Sequence, residues 1–135
     1  MSTSILIIDD DALLRRTIRF VLEDRGYQVF EASNGSEGFD IASGVVPDIV
    51  LLDIRMAEMN GFSTLQAIKG DPLLRHIPIV MMTGMPNDLS RKRSKQAGAE
   101  YFLAKPFSVN HLIDLIGMIP MRTRAEARFS SDLRF

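Results

Sequence analysis

The chain contains no cysteine, which excludes a disulfide framework and any thiolate zinc site and fits a reducing compartment. It has almost no net charge: 16 Lys and Arg stand against 17 Asp and Glu, a formal −1. That leaves no bulk electrostatic reason to expect nucleic acid or an anionic membrane as a direct partner. No apolar run approaches the roughly 20 residues that span a bilayer. The N-terminus lacks the basic start and apolar stretch of a secretory signal. The expectation is a cytoplasmic protein without a membrane segment. What is present is 135 residues, 46% hydrophobic and 24% charged, the size and composition of one folded domain with a single core.

One stretch organises the rest: Asp48-Ile49-Val50-Leu51-Leu52-Asp53-Ile54-Arg55-Met56. A short apolar run bounded by turn signals reads as a strand buried on both faces, in the middle of a parallel sheet. Its last residue, Asp53, then points into the mouth of the fold. The other segments follow a repeating plan. Ile5 to Ile8 reads as a strand ended by Asp9-Asp10-Asp11. From Ala12 to Arg25 the period changes, with Leu14, Ile18, Val21 and Leu22 on one helical face and Arg15, Arg16, Arg19, Glu23 and Asp24 on the other. Gly26 stops that helix. Tyr27 to Ala32 is a more polar strand, suited to a sheet edge. Asn34-Gly35 reads as a turn before a short helix from Ser36 to Ser43. Helices are also expected over Gly61 to Lys69, Leu89 to Gln96 and Val109 to Ile116, and strands over Ile79 to Met82 and Tyr101 to Ala104. Five strand–helix units predict an α/β fold whose parallel sheet carries helices on both faces. No boundary is evident before Pro120. The stretch 120–135 differs, being rich in Arg and Ser.

The strand ends are Asp9 and Asp10, Asp53, Thr83 and Lys105. In a parallel sheet these gather on one edge, where open α/β sheets build their sites. Three close carboxylates repel one another, and some would take up protons unless a cation sat among them. An oxygen-only donor set suits Mg²⁺, which needs few carboxylates and keeps several waters. A hydroxyl and a lysine beside such an ion are what a transferring phosphoryl group requires, and Asp53 could take up that group as an acyl phosphate.

With these residues in view, the chain resembles the receiver domains of two-component response regulators. The matching motifs are Asp9-Asp10 after Leu6-Ile7-Ile8, Asp53 followed by Met56 and Gly61, Thr83-Gly84, and Lys105-Pro106-Phe107. The resemblance spans residues 5 to about 118. It implies a flavodoxin-like sheet with strand order 2-1-3-4-5; the receiver domain is then expected over 1–119, and composition sets 120–135 apart as a basic tail. It implies that Asp53 accepts phosphate from a histidine kinase or a phosphotransfer protein. Asp10 and Asp53 would bind Mg²⁺ directly, Asp9 through water, and the backbone carbonyl of Arg55 would complete the set. Thr83 and Lys105 would contact the phosphoryl oxygens, and the small Gly84 would leave room for that group. Phe102 falls at the switch aromatic. Arg55 and Met85 occupy positions where the family tunes hydrolysis of the phosphoryl group. The output would pass to another protein through the helix 4–strand 5–helix 5 face, with no output domain in this chain. The family's usual proline after the loop methionine is replaced by Ala57.

Two other functions compete. Asp9 and Asp11 loosely imitate the DxD nucleophile motif of a haloacid-dehalogenase-like phosphatase, with Asp9 as nucleophile, but no acidic pair follows Lys105. A flavodoxin would want a Ser/Thr-rich phosphate loop where this chain has three acids. Several residues carry plainer readings. Asp11 fits a helix cap. Arg91-Lys92-Arg93-Ser94-Lys95 reads first as a solvated helix face and second as a partner surface. His76 and His111 have no second ligand at a useful spacing. Met81, Met82 and Met85 fit core and site rim. The stripe Met121, Ala125, Phe129 in the tail reads as a frayed terminus before it reads as a docking helix.

Overall fold

The computed structural model describes residues 2–56 and 60–120. Ten elements alternate strictly: β1 (Ser4–Ile8), α1 (Ala12–Asp24), β2 (Gln28–Ala32), α2 (Gly35–Val45), β3 (Ile49–Asp53), α3 (Gly61–Gly70), β4 (Ile79–Thr83), α4 (Asp88–Gln96), β5 (Tyr101–Ala104) and α5 (Val109–Met118). The strands form one parallel sheet in the order β2-β1-β3-β4-β5. The expected doubly wound, flavodoxin-like architecture is therefore the observed one. Neither Ala57 nor the stripe Met121, Ala125, Phe129 lies among the described residues.

The period of two along a strand divides the core into two layers. Leu6 and Ile8, Val50 and Leu52, and Ile79 and Met81 pack with Phe62, Leu65 and Ile68 of α3 and Ala42 of α2. Ile5 and Ile7, Ile49 and Leu51, and Val80 and Met82 face the other way, onto Ile18 and Leu22 of α1 and Leu112 and Ile116 of α5. Every residue of β1, β3 and β4 is buried, as unbroken apolar runs covered on both faces require. Burial of this kind contributes about 1.5–3 kcal/mol per large side chain, and it fixes the strand ends as the rim of a rigid platform.

Local chemistry sets the helix starts. Asp11 caps α1 by accepting from the Leu14 N–H at 3.1 Å, as its plain reading required. Asn34-Gly35 is not a free turn. Asn34 is the N-cap of α2, accepting from the Glu37 N–H at 2.8 Å, and the helix begins at Gly35, one residue before the expected start. An Asn side chain serves a turn and a cap through the same hydrogen bond, so the dipeptide alone does not separate them. Gly26 ends the α1 region at φ +90° and Gly98 follows α4 at φ +103°, conformations that favour glycine.

Candidate functional site

The C-terminal ends of β1, β3, β4 and β5 bring Asp9, Asp53, Thr83 and Lys105 together. Asp9 is fully buried, Asp53 is 5% exposed and Thr83 is 2% exposed, while Asp10 faces solvent. Carboxylate oxygens of Asp9, Asp10 and Asp53 all lie within 4.8 Å of one another. The Lys105 ammonium, half-buried, donates to Asp9 Oδ2 at 2.7 Å and stands 3.5 Å from Asp53 Oδ1. Asp9 Oδ1 also accepts from the Asp11 N–H at 2.9 Å, and Asp53 Oδ1 from the Arg55 N–H at 3.3 Å. Thr83 Oγ1 accepts from the Met85 N–H at 3.0 Å. The Lys105–Pro106 peptide bond is cis.

The electrostatics follow from this crowding. Asp53 is pushed up from 3.8 to about 6, first by burial and then by the neighbouring charge of Asp9, with a smaller contribution from Asp10. Lys105 and the Arg55 N–H pull it back down without cancelling the rise. Burial draws the Lys105 ammonium down, but its bond to Asp9 and the charges of Asp9 and Asp53 outweigh burial, and its pKa is raised. A cluster of oxygen donors with an excess of negative charge fits a small hard cation.

Three features position the acidic loop and its neighbour. Gly61 opens α3 directly beneath the Asp53 backbone. Its N–H donates to the Ile54 carbonyl at 2.9 Å, and a Cβ there would sit 2.2 Å from the Asp53 carbonyl oxygen. Asn60 caps that helix by accepting from the Ser63 N–H at 3.0 Å. Arg15 departs from the solvated role its helical face implied. It donates to the Asp9 carbonyl at 2.7 Å and pairs with Glu31 of β2 at 3.1 Å, and Arg19 holds the other oxygen of Glu31. An Arg pair four residues apart, opposite a lone Glu in an edge strand, was the available clue.

Around the mouth, Arg55 Nη1 meets Met85 Sδ at 2.6 Å, both side chains being exposed. Phe102 is half-buried against the α2–α3 layer, with the Arg91 guanidinium 4.5 Å above its ring. Beside Lys105 opens a 330 Å³ cleft lined by Leu14, Gly84, Lys105, Pro106 and Phe107.

A doubly wound sheet with three carboxylates, a hydroxyl and a lysine on its C-terminal edge defines a flavodoxin-like domain equipped for phosphoryl chemistry. Residues 5–117 match the response regulator receiver domain, and the chain belongs to that family. It is 34% identical over 116 residues to the polar-differentiation response regulator DivK of Brucella anthropi, covering 86% of this chain and 94% of the relative. The chemotaxis protein CheY4 of Vibrio cholerae superposes with a TM-score of 0.86 at 27% identity, over 89% of this chain and all of that one. The receiver domain of a DNA-binding response regulator from Colwellia psychrerythraea superposes with a TM-score of 0.80 at 33% identity, over 86% of this chain and 96% of that one.

The protein is thus a phosphoacceptor switch of two-component signalling. Receiver domains are signalling proteins and not conventional enzymes. They generally bind Mg²⁺ and work with histidine kinases or phosphotransfer proteins and with downstream partners. The phosphatase alternative is not favoured: Asp11, its second motif residue, is spent as the cap of α1. Among the described residues no helix is long and apolar enough to cross a membrane.

Proposed function

We propose that Asp53 accepts a phosphoryl group from the phosphohistidine of a histidine kinase or phosphotransfer protein, in the cytoplasm, within a receiver domain formed by residues 1–119. Asp53 Oδ attacks phosphorus, the bond to the histidine nitrogen breaks, and the leaving imidazole takes up a proton. Mg²⁺ would be held by Asp10 and Asp53 directly, by Asp9 through water and by the Arg55 carbonyl. It would supply charge neutralisation at the phosphoryl oxygens. Lys105 shifts from its carboxylate partners toward the incoming group, and the Thr83 hydroxyl donates to it. The chain thereby promotes its own phosphoryl transfer and its own slow dephosphorylation, with Arg55 and Met85 screening the acyl phosphate from water.

The change is carried by Thr83 and Phe102 to the α4–β5–α5 face, where a partner protein reads it. By composition, residues 120–135 form a basic segment, with four Arg against Glu126 and Asp132. The observation that carries this reading is the Lys105 ammonium set between Asp9 and Asp53, beside an acidic triad within 4.8 Å. Intact mass after incubation with acetyl phosphate and Mg²⁺ tests it. One phosphoryl adduct on the wild type, absent in Asp53→Asn, is expected. An adduct that survives Asp53→Asn but disappears in Asp9→Asn would overturn it.

A further inference from the structure

Helix α4 breaks the rules that the other helices obey. Its nine residues include one apolar side chain, Leu89, which is 74% exposed, and the only residue it buries is Ser94. Arg91 and Lys95 lie four apart and Lys92 and Lys95 three apart, so like charges stack along one stripe, an arrangement that opposes helix formation. Against these cations and Arg93 stands a single acid, Asp88. The helix is therefore strongly positive in a chain whose formal charge is −1.

None of the four α4 cations forms an ion pair among the described residues, whereas Arg15, Arg19, Lys69 and Lys105 all do. The helix is held instead by its Asn87–Ser90 capping box and by two aromatic rings from outside it. The Arg93 guanidinium lies 4.0 Å above Phe62 of α3, and that of Arg91 lies 4.5 Å above Phe102 of β5. Stacking fixes the plane of a guanidinium and leaves its N–H edge free. An arginine held in this way loses less freedom when it takes a carboxylate in a two-pronged bond. Repulsion that only Asp88 offsets within the helix and that no ion pair among the described residues relieves, together with a pre-set donor, marks a surface suited to something outside it.

We infer that α4 docks an acidic protein segment. Its carboxylates pair with Arg91, Lys92 and Lys95, and an apolar side chain of the segment covers Leu89. Arg91 rests on Phe102, the aromatic that the proposed function makes part of the switch, and on that reading the contact responds to the state of the Asp53 site. The inference rests on the switch reading above and names the chemistry of the partner.

The test uses the full chain and a fluorescein-labelled, glutamate-rich peptide with a central leucine, followed by anisotropy at physiological ionic strength. A single-stranded DNA oligonucleotide of equal length serves as the rival polyanion. The peptide is expected to bind more tightly than the DNA. Arg91→Lys, which keeps the charge but not the planar stack, should weaken it several-fold, as should Lys95→Gln. Arg16→Gln on α1 should leave it unchanged. Acetyl phosphate with Mg²⁺ should shift the affinity in samples whose mass shows the adduct.

Wild-type binding by Arg91→Lys, equal loss in Arg16→Gln, or tighter binding of DNA would each overturn the docking surface. An adduct without any shift in affinity would overturn the link through Phe102. Peptide binding with the expected sensitivities in a protein that takes no phosphoryl group would leave the surface standing and defeat the switch reading instead.

Discussion

Lys105 and Asp9, 96 residues apart in sequence, are joined by a 2.7 Å hydrogen bond at the floor of the site, between a half-buried ammonium and a fully buried carboxylate. The same ammonium faces Asp53 at 3.5 Å. Removing it strands two buried negative charges, the case in which breaking a pair costs most. Lys105→Ala should lose about 3 kcal/mol of unfolding free energy in urea, and added Mg²⁺ should restore part of it by replacing the missing charge. An unchanged midpoint, or one that Mg²⁺ does not move, would contradict the arrangement.

The pKa of Asp53 gives a stability prediction with a definite sign. The folded state raises this carboxyl from 3.8 to about 6, chiefly by burial and then by Asp9. Between those values the native chain binds more protons than the unfolded chain, so the contribution of Asp53 to stability falls as pH rises through the window. Without metal, Asp53→Asn should therefore match the wild type near pH 4 and exceed it above pH 6, by up to about 3 kcal/mol. Protons and Mg²⁺ compete for the same oxygens, so the apparent Mg²⁺ affinity of the wild type should fall below pH 6. Urea melts and Mg²⁺ titrations across this range check both statements.

Arg55 and Met85 touch across the mouth of the site, Nη1 to Sδ at 2.6 Å. Arg55→Ala opens that cover. Loss of the phosphoryl group should quicken by about tenfold, equivalent to 1.4 kcal/mol of barrier. Stability should hardly change, because the side chain is exposed. Identical decay of the phosphorylated wild type and variant would remove Arg55 from the account.

Two glycines make opposite predictions. A methyl group at Gly61 meets the Asp53 carbonyl oxygen at 2.2 Å, and backbone cannot yield cheaply. Gly61→Ala should cost about 2 kcal/mol and weaken Mg²⁺ binding by shifting Asp53. Gly44 lies within α2 with open space around it, and Gly44→Ala should stabilise by about 0.5–1 kcal/mol with Mg²⁺ binding unchanged. Equal effects at both positions would show that the close approach at Gly61 carries no weight.

Much of this geometry is legible in the chain because each site residue ends an apolar run. Leu6-Ile7-Ile8 delivers Asp9, Ile49 to Leu52 delivers Asp53, Ile79 to Met82 delivers Thr83 and Tyr101 to Ala104 delivers Lys105. The parallel sheet then aligns those ends. Arg15 is not legible in the same way. Its partners are the backbone carbonyl of Asp9 and Glu31 of β2, and a helical wheel assigns it to water. The stacks of Arg91 on Phe102 and Arg93 on Phe62 escape for a similar reason. Periodicity describes which way a side chain leaves its own element, and a long arginine can bend back onto a neighbour. Leu13 and Phe20 show the converse, since both are large and apolar yet exposed on α1.

The central claim is that Asp53, and no other acid in the cluster, carries the phosphoryl group. Borohydride reduction of the phosphorylated chain converts the acyl phosphate bearing residue to homoserine, and peptide sequencing by mass spectrometry locates it. The account predicts homoserine at position 53 alone, formed only when acetyl phosphate and Mg²⁺ are both supplied. Homoserine at position 9 or 10 with Asp53 intact would contradict it.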